Sequence, residues 1–209
     1  MNQKYAPPII GLAGGIGSGK STITKYFNNL GIQSVDADDV AREVVQPGSS
    51  CLTKIVERFG ANILLTDGTL DRKALRDIVF KHPDERRWLE SITHPEIRAS
   101  IATQLANAHS PYVLLVHPLL FETEQNKLCK FVVVIDTPKE IQIERIIRRD
   151  QSTEEQALRI INTQLNNEER LKQADFILKN NSNLIDLDDK VVTLNQCILA
   201  RLDVRELNQ

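Results

Sequence analysis

Residues 9–22 read Ile9-Ile10-Gly11-Leu12-Ala13-Gly14-Gly15-Ile16-Gly17-Ser18-Gly19-Lys20-Ser21-Thr22, and this stretch decides the fold. Gly14-x-x-x-x-Gly19-Lys20-Ser21 fits the P-loop pattern. Its glycines, lacking a Cβ, let successive backbone N–H groups turn inward around a phosphate chain.

The flanks supply the context such a loop needs. Pro8 to Ala13 is a short, uncharged run suited to a buried strand. After the loop, Ile23, Tyr26, Phe27 and Leu30 fall at i, i+3, i+4 and i+7, one apolar stripe of a helix that Gly31 can stop. Strand, glycine loop and helix start thus follow in the required order. The positive end of the helix dipole adds to the inward N–H groups, which makes an anion site.

The chain has 209 residues, enough for a full core in one domain with insertions or in two small ones. Charged residues make up 26% and the formal net charge is −2. The field of the whole molecule therefore recruits neither nucleic acid nor an anionic membrane, and any anion site is local. Cys51, Cys129 and Cys197 lie far apart and make no metal cluster with the four histidines, so they read as reduced structural thiols. Residues 1–8 carry no apolar signal core, and no stretch approaches the ~20 apolar residues that span a bilayer. The expected location is the cytoplasm, and the expected state a monomer or small homo-oligomer.

Ile32 to Asp38 reads as a second strand ending in two carboxylates. Residues two apart on an extended chain point the same way, so Asp36 and Asp38 are expected to project together from its carboxyl end, where open parallel sheets place their chemistry. The other reading of Asp38 is a helix cap before Asp39-Val40-Ala41. From 41 to 110 the chain is helical. Leu52, Ile55, Val56 and Phe59 form one stripe, and Leu75, Ile78 and Val79, then Trp88, Leu89 and Ile92, form others. Turn signals at Pro47-Gly48, Gly60, Asp67-Gly68, His82-Pro83 and His94-Pro95 divide them.

Pro111 to Val116 and Phe131 to Asp136 are unbroken aliphatic runs, the mark of strands buried on both faces. His117 follows the third strand, either as a substrate contact or as a satisfied loop histidine. A helix from Pro138 places Arg145, Arg148 and Arg149 opposite Ile143, Ile146 and Ile147. Such a basic face is either solvated or the source of the cations that a mobile lid brings to a transferring phosphoryl. Residues 150–155 break this helix, and Ser152 or Thr153 caps the next, which carries Arg159, Gln164 and Arg170. Asp175 to Asn180 reads as a last strand and 183–206 as a closing helix.

The expected architecture is an α/β P-loop NTPase: a parallel sheet of about five strands flanked by helices, with a helical insertion and a lid. The nucleotide-binding core takes residues 1–40, 111–149 and 173–209, the helical substrate domain 41–110, and the lid with its following helix 150–172.

From about residue 9 to 195 the chain resembles the dephospho-CoA kinase family. The resemblance is carried by GLAGGIGSGKST, VDADDVAREVVQPG, GTLDRKALRDIVF, HPEIR, VLLVHPLLFE, IERIIRRD and EERLKQADFILKNN. The chain departs from the family pattern at Ala13, where Thr is common, at His117, where an apolar residue is commoner, and in the less acidic strand 176–179. The resemblance implies that the γ-phosphoryl of ATP passes to the ribose 3′-hydroxyl of dephospho-CoA, the last step of coenzyme A synthesis.

Phosphoryl transfer is mainly positioning and charge stabilisation, so few parts are needed. The Gly15, Ile16, Gly17, Ser18 and Gly19 backbone cradles the phosphates, Lys20 reaches the β- and γ-phosphates, and Thr22 reaches the α-phosphate. The Ser21 hydroxyl binds Mg²⁺. Asp38 is expected to orient the acceptor hydroxyl and take its proton, with Asp36 holding Mg²⁺ waters or sharing that task. Arg42, one turn later, faces substrate, and the family segments add acceptor contacts at His94, Leu119, Phe121 and Glu122. Arg145 and Arg149 are candidates for the lid cations that bind ATP phosphates or adenine and stabilise transferred charge, Arg149 preferred because it abuts the hinge. The rival readings are a kinase of another small acceptor, such as a nucleoside or nucleotide, and a GTP-dependent switch. The switch lacks its guanine-reading Asn-Lys-x-Asp, since Asn126-Lys127 is followed by Leu128-Cys129.

Overall fold

The computed structural model describes residues 6–181 and 184–206. They fall into two compact units: one is built from the chain up to Val35 and from Asn107 onward, the other from Asp36–Ala106.

The first unit is a sheet covered by helices. Its strands are β1 (Ile9–Ala13), β2 (Gln33–Asp36), β3 (Val113–Val116), β4 (Phe131–Asp136) and β5 (Phe176–Lys179), in the order β2-β3-β1-β4-β5. The central β1 runs parallel to both neighbours, with Ile10 opposite Leu114 on one side and Phe131 on the other. The aliphatic runs behave as two-sided burial requires: all of β3 and the first five residues of β4 are buried. Helix α1 (Lys20–Asn29) lays Ile23 and Phe27 on this core. Helix α9 (Leu184–Glu206) adds Leu187, Val191, Leu194, Ile198 and Leu202, spaced three or four apart. Each such side chain taken from water contributes about 1.5–3 kcal/mol. The buried Tyr112 keeps its hydroxyl partnered, donating to Asn195 Oδ1 at 2.6 Å.

The second unit has its own core. Helices α2 (Ala37–Glu43), α3 (Ser50–Phe59), α4 (Arg72–Lys81) and α5 (Pro83–Ala106) enclose Val45, Leu52, Ile55, Ile63, Leu70 and Leu75. Ser49 caps α3 through the Leu52 N–H at 3.2 Å, and Asp71 caps α4 through Lys73 and Ala74. Trp88 meets the Phe59 ring edge to face at 5.6 Å, and the Arg58 guanidinium lies 4.6 Å from the Trp88 ring centre.

Several local expectations are corrected. The second strand does not reach Asp38. It stops at Asp36, whose Oδ1 accepts the Asp38 N–H at 2.8 Å and so caps α2, leaving Asp38 in the first helical turn. The two carboxylates therefore do not share a strand face, and the cap is Asp36 rather than Asp38. His94-Pro95 does not end a helix. Pro95 lies inside the 24-residue α5, where the lost backbone bond is offset by burial on both sides: Trp88, Leu89 and Ile92 pack on the helical core before it, and Ile101 and Leu105 are buried after it. The apolar stripe of α1 loses its last member, since Leu30 is the C-cap and exposed.

Helix α6 (Lys139–Asp150) ends at Gln151, φ 51°, and Thr153 opens α7 (Glu154–Asn162) with a reciprocal capping box to Gln156. Gln164 and Arg170 do not share that helix. The chain breaks after Thr163 and restarts as α8 (Asn167–Leu171), capped by Asn166, so Gln164 lies in the turn and Arg170 in α8. Nor do the three arginines of α6 form one solvated face. Arg145 is half-buried against the glycine loop, because carbonyls there accept its N–H groups, whereas Arg148 and Arg149 are exposed.

Candidate active site

The loop between β1 and α1 has its carbonyls taken on one side. Ser18 O accepts from Asn180 Nδ2 at 2.7 Å, Thr137 Oγ1 at 3.2 Å and Arg145 Nη1 at 3.3 Å, and Gly17 O accepts from the same guanidinium at 3.2 Å. Anchored carbonyls fix the peptide planes and hence the direction of the N–H groups. Gly17 has φ 75°, and a Cβ there would stand 2.7 Å from the Gln142 carbonyl oxygen, so the loop and α6 meet backbone to backbone.

Helix α1 opens on Gly19, φ 92°, with no side-chain cap. No side chain caps this end; the Thr22 N–H donates to Gly19 O at 3.1 Å, and the positive end of the helix dipole faces the loop. Lys20 folds back over the loop, its Nζ donating to Gly14 O at 2.7 Å and Gly15 O at 3.2 Å. Ser21 is exposed and Thr22 half-buried beside it.

On α6, burial and the neighbouring Arg148 pull the Arg145 pKa down, and Nη2 reaches Asn180 Oδ1 at 3.3 Å. Arg149 is exposed and paired with Asp150 at 2.7 Å, which holds its pKa up. Past β3, Leu119 is exposed and Phe121 half-buried. Glu122 Oε1 accepts the Leu165 N–H at 2.9 Å, and His117 Nδ1 accepts the Leu119 N–H at 3.0 Å, a local loop bond. A cleft of about 550 Å³ opens beside the loop, its walls including Gly15, Asp136, Gln142, Gln164, Asn167 and Arg170.

In the helical unit, Asp36 is half-buried and Asp38 exposed. Burial, then the like charges of Asp38 and Asp39, hold the Asp36 carboxyl above its usual pKa despite the N–H it accepts. Arg42 is exposed and paired with Asp39 at 2.6 Å. His94 is an exposed residue of α5.

The sequence reading missed Thr137 and Asn180, which donate to the Ser18 carbonyl of the loop, and Gln142, whose backbone lies against Gly17. Nothing in their spacing marks them, since they meet the loop from 119 to 162 residues away. Among the described residues no three His, Cys, Asp or Glu side chains gather as a metal cage. Magnesium at phosphates needs none, taking one or two protein oxygens with phosphate and water. The exposed Ser21 hydroxyl, in the first turn of α1 beside the loop, is an oxygen donor of the kind such a site takes.

The profile of the dephospho-CoA kinase family matches residues 8–186. The chain belongs to this family. The dephospho-CoA kinase of Idiomarina loihiensis is 48% identical over 198 residues, covering 95% of this chain and 98% of that protein. The solved dephospho-CoA kinase of Campylobacter jejuni superposes with a TM-score of 0.70 at 35% identity, covering 92% of this chain and 97% of that one. The crystal structure of TT1252 from Thermus thermophilus gives 0.79 at 29% identity, with 95% and 99% covered.

Membership of the dephospho-CoA kinase family makes the chain an ATP-dependent phosphotransferase that acts on an alcohol group. The five-stranded parallel sheet with a glycine loop after its central strand is the P-loop NTPase fold expected of such a kinase.

Proposed function

We propose the following division of roles in the dephospho-CoA kinase reaction, in which the γ-phosphoryl of ATP passes to the ribose 3′-hydroxyl of dephospho-CoA, giving CoA and ADP as the last step of coenzyme A biosynthesis. The glycine loop of residues 15–19 and the α1 start hold the phosphates, with Thr22 at the α-phosphate, while the Ile16 and Ser18 N–H groups stay bonded to Gln164 and the Gly15 carbonyl and keep the loop in shape. Lys20 moves from the loop carbonyls to the β- and γ-phosphates, exchanging two neutral acceptors for charged ones.

Asp38 accepts the proton of the acceptor hydroxyl as its oxygen bonds to the γ-phosphorus. The bond from that phosphorus to the bridging oxygen breaks, and ADP leaves with the electron pair. Ser21 and Asp36 would hold Mg²⁺, which would supply positive charge against the phosphates. Arg145 serves the nucleotide beside Asn180, and Arg149 supplies a cation to the transferring phosphoryl. The helical unit with Arg42 and His94, together with Leu119, Phe121 and Glu122, serves the acceptor, and residues 150–172 act as the lid.

The observation that carries this reading is the uncapped start of α1 with Lys20 bonded to its own loop carbonyls. It is supported by the family match across the whole of the loop. The enzyme works as a monomer or small homo-oligomer in the cytoplasm; among the described residues no helix is long and apolar enough to cross a membrane. ADP release measured with and without dephospho-CoA, beside a panel of nucleosides and nucleotides, tests the assignment. Release stimulated by dephospho-CoA alone is expected, and equal stimulation by a nucleoside overturns it.

A further inference from the structure

Residues 163–166, between α7 and α8, are fastened from several sides. Glu122 Oε1 accepts the Leu165 N–H at 2.9 Å, Arg170 Nη2 donates to the Leu165 carbonyl at 2.5 Å, and Asn166 Oδ1 accepts the Glu169 N–H at 2.8 Å. Arg170 is 3% exposed, a degree of burial that a guanidinium tolerates only when its donors are used. From this fastened turn Gln164 reaches the glycine loop: its Oε1 accepts the Ile16 N–H at 2.8 Å, across 148 residues of chain.

The peptide joining Gly15 to Ile16 is thereby held at both ends. Its carbonyl accepts the Ser18 N–H at 3.1 Å and Lys20 Nζ at 3.2 Å, while its N–H donates to Gln164. A trans peptide points these groups in opposite directions, so turning it breaks both attachments together. The approach is close. A Cβ on Gly15 would stand 2.9 Å from Gln142 Oε1, 3.4 Å from Arg170 Nη1 and 3.5 Å from Gln164 Oε1.

We infer that Gln164 is a positioning residue for phosphoryl transfer, fixing the Gly15–Ile16 peptide and, through its carbonyl, the place from which Lys20 leaves for the phosphates. It couples the exit of the 150–172 segment to the first half of the loop. The inference rests on the kinase reading above, and its test keeps the two apart, because only the wild-type enzyme's transfer to dephospho-CoA decides that reading.

Gln164→Met keeps the length of the side chain and removes its strong acceptor. The variant is expected to melt within a few degrees of wild type and to exchange the Ile16 amide hydrogen faster. Its kcat should fall about tenfold, the scale of one misplaced hydrogen bond, with the KM for dephospho-CoA unchanged. Gln164→Glu, which keeps an acceptor of the same length, should restore the protection of Ile16. A Gln164→Met enzyme with kcat within twofold of wild type overturns the inference. So does one that loses its fold, or a Gln164→Glu enzyme in which Ile16 stays unprotected.

Discussion

The Asp36 carboxylate accepts the backbone N–H of Asp38 at 2.8 Å. Two acids that the chain spells as a pair therefore do different work: Asp36 spends one oxygen on the start of α2, and Asp38 extends from its first turn with its carboxylate exposed.

For Asp38 this separates fold from chemistry. Because the cap belongs to Asp36, Asp38→Asn removes no capping bond and should melt like wild type. Transfer should fall by ~10²–10⁴, the range for a lost general base, while ATP binding stays near normal. Steady-state kinetics beside nucleotide titration checks this, and full activity in the purified variant sinks the proton-acceptor role.

Asp36 gives a pH-dependent prediction. An acid whose folded pKa is raised binds its proton more tightly when folded. Its contribution to stability is therefore present at low pH and lost as pH rises from 3.8 through the folded pKa. At pH 7 the ionised group costs stability, and Asn caps a helix about as well as Asp. Asp36→Asn should melt higher than wild type at pH 7, with the gap closing as pH approaches 3.8. A lower melting temperature at pH 7 contradicts the electrostatic account. If Asp36 also serves magnesium, its lost activity should be partly recovered by raising Mg²⁺, unlike that of Asp38→Asn.

Lys20→Ala removes two donors from the loop carbonyls, of which Gly15 O keeps the Ser18 N–H. The fold should survive with a melting shift of about 2–4 °C, roughly 1 kcal/mol in a chain of this size, while transfer drops by on the order of 10²–10³. Thermal melts read together with ADP release test it. Activity near wild type removes Lys20 from the mechanism.

Arg149 and Lys127 each make an exposed ion pair, with Asp150 and Glu124, and such pairs contribute about 0–1 kcal/mol. Truncating either to Ala should leave stability almost unchanged. Turnover should nevertheless fall by about 10² or more in Arg149→Ala alone, because only that cation serves the transferring phosphoryl. Equal kinetics in the two variants would assign Arg149 to the solvent.

Much of this is legible in the sequence alone. The glycine loop, the unbroken runs of β3 and β4 and the apolar stripes of α3 and α4 each carry their environment in their composition, because a strand covered on both faces tolerates no alternation. The end of β2 was not legible. Asp serves equally as the last residue of a strand or as a helix cap, and only the bond from Asp38 N–H decides. Pro95 misled for a related reason, since its local cost is outweighed by packing along α5 that no short window contains. Gln142, Gln164 and Asn180 were silent because their partners lie on other elements, and a carboxamide on a helix or in a turn is indistinguishable from a solvated one.

The order in which the two cores can close follows from the sheet. Strand β1 ends at Ala13, and its first partner begins at Val113. At ribosomal speeds the glycine loop therefore waits on the order of ten seconds for its neighbours. The helical unit is a single unbroken stretch with its own core, so it is able to fold during that interval. The unit that carries the sheet and the glycine loop then completes last, when α9 emerges to cover the sheet. A nascent chain halted before α9 should thus carry a protease-resistant fragment from 36 to 106 and no nucleotide-binding capacity.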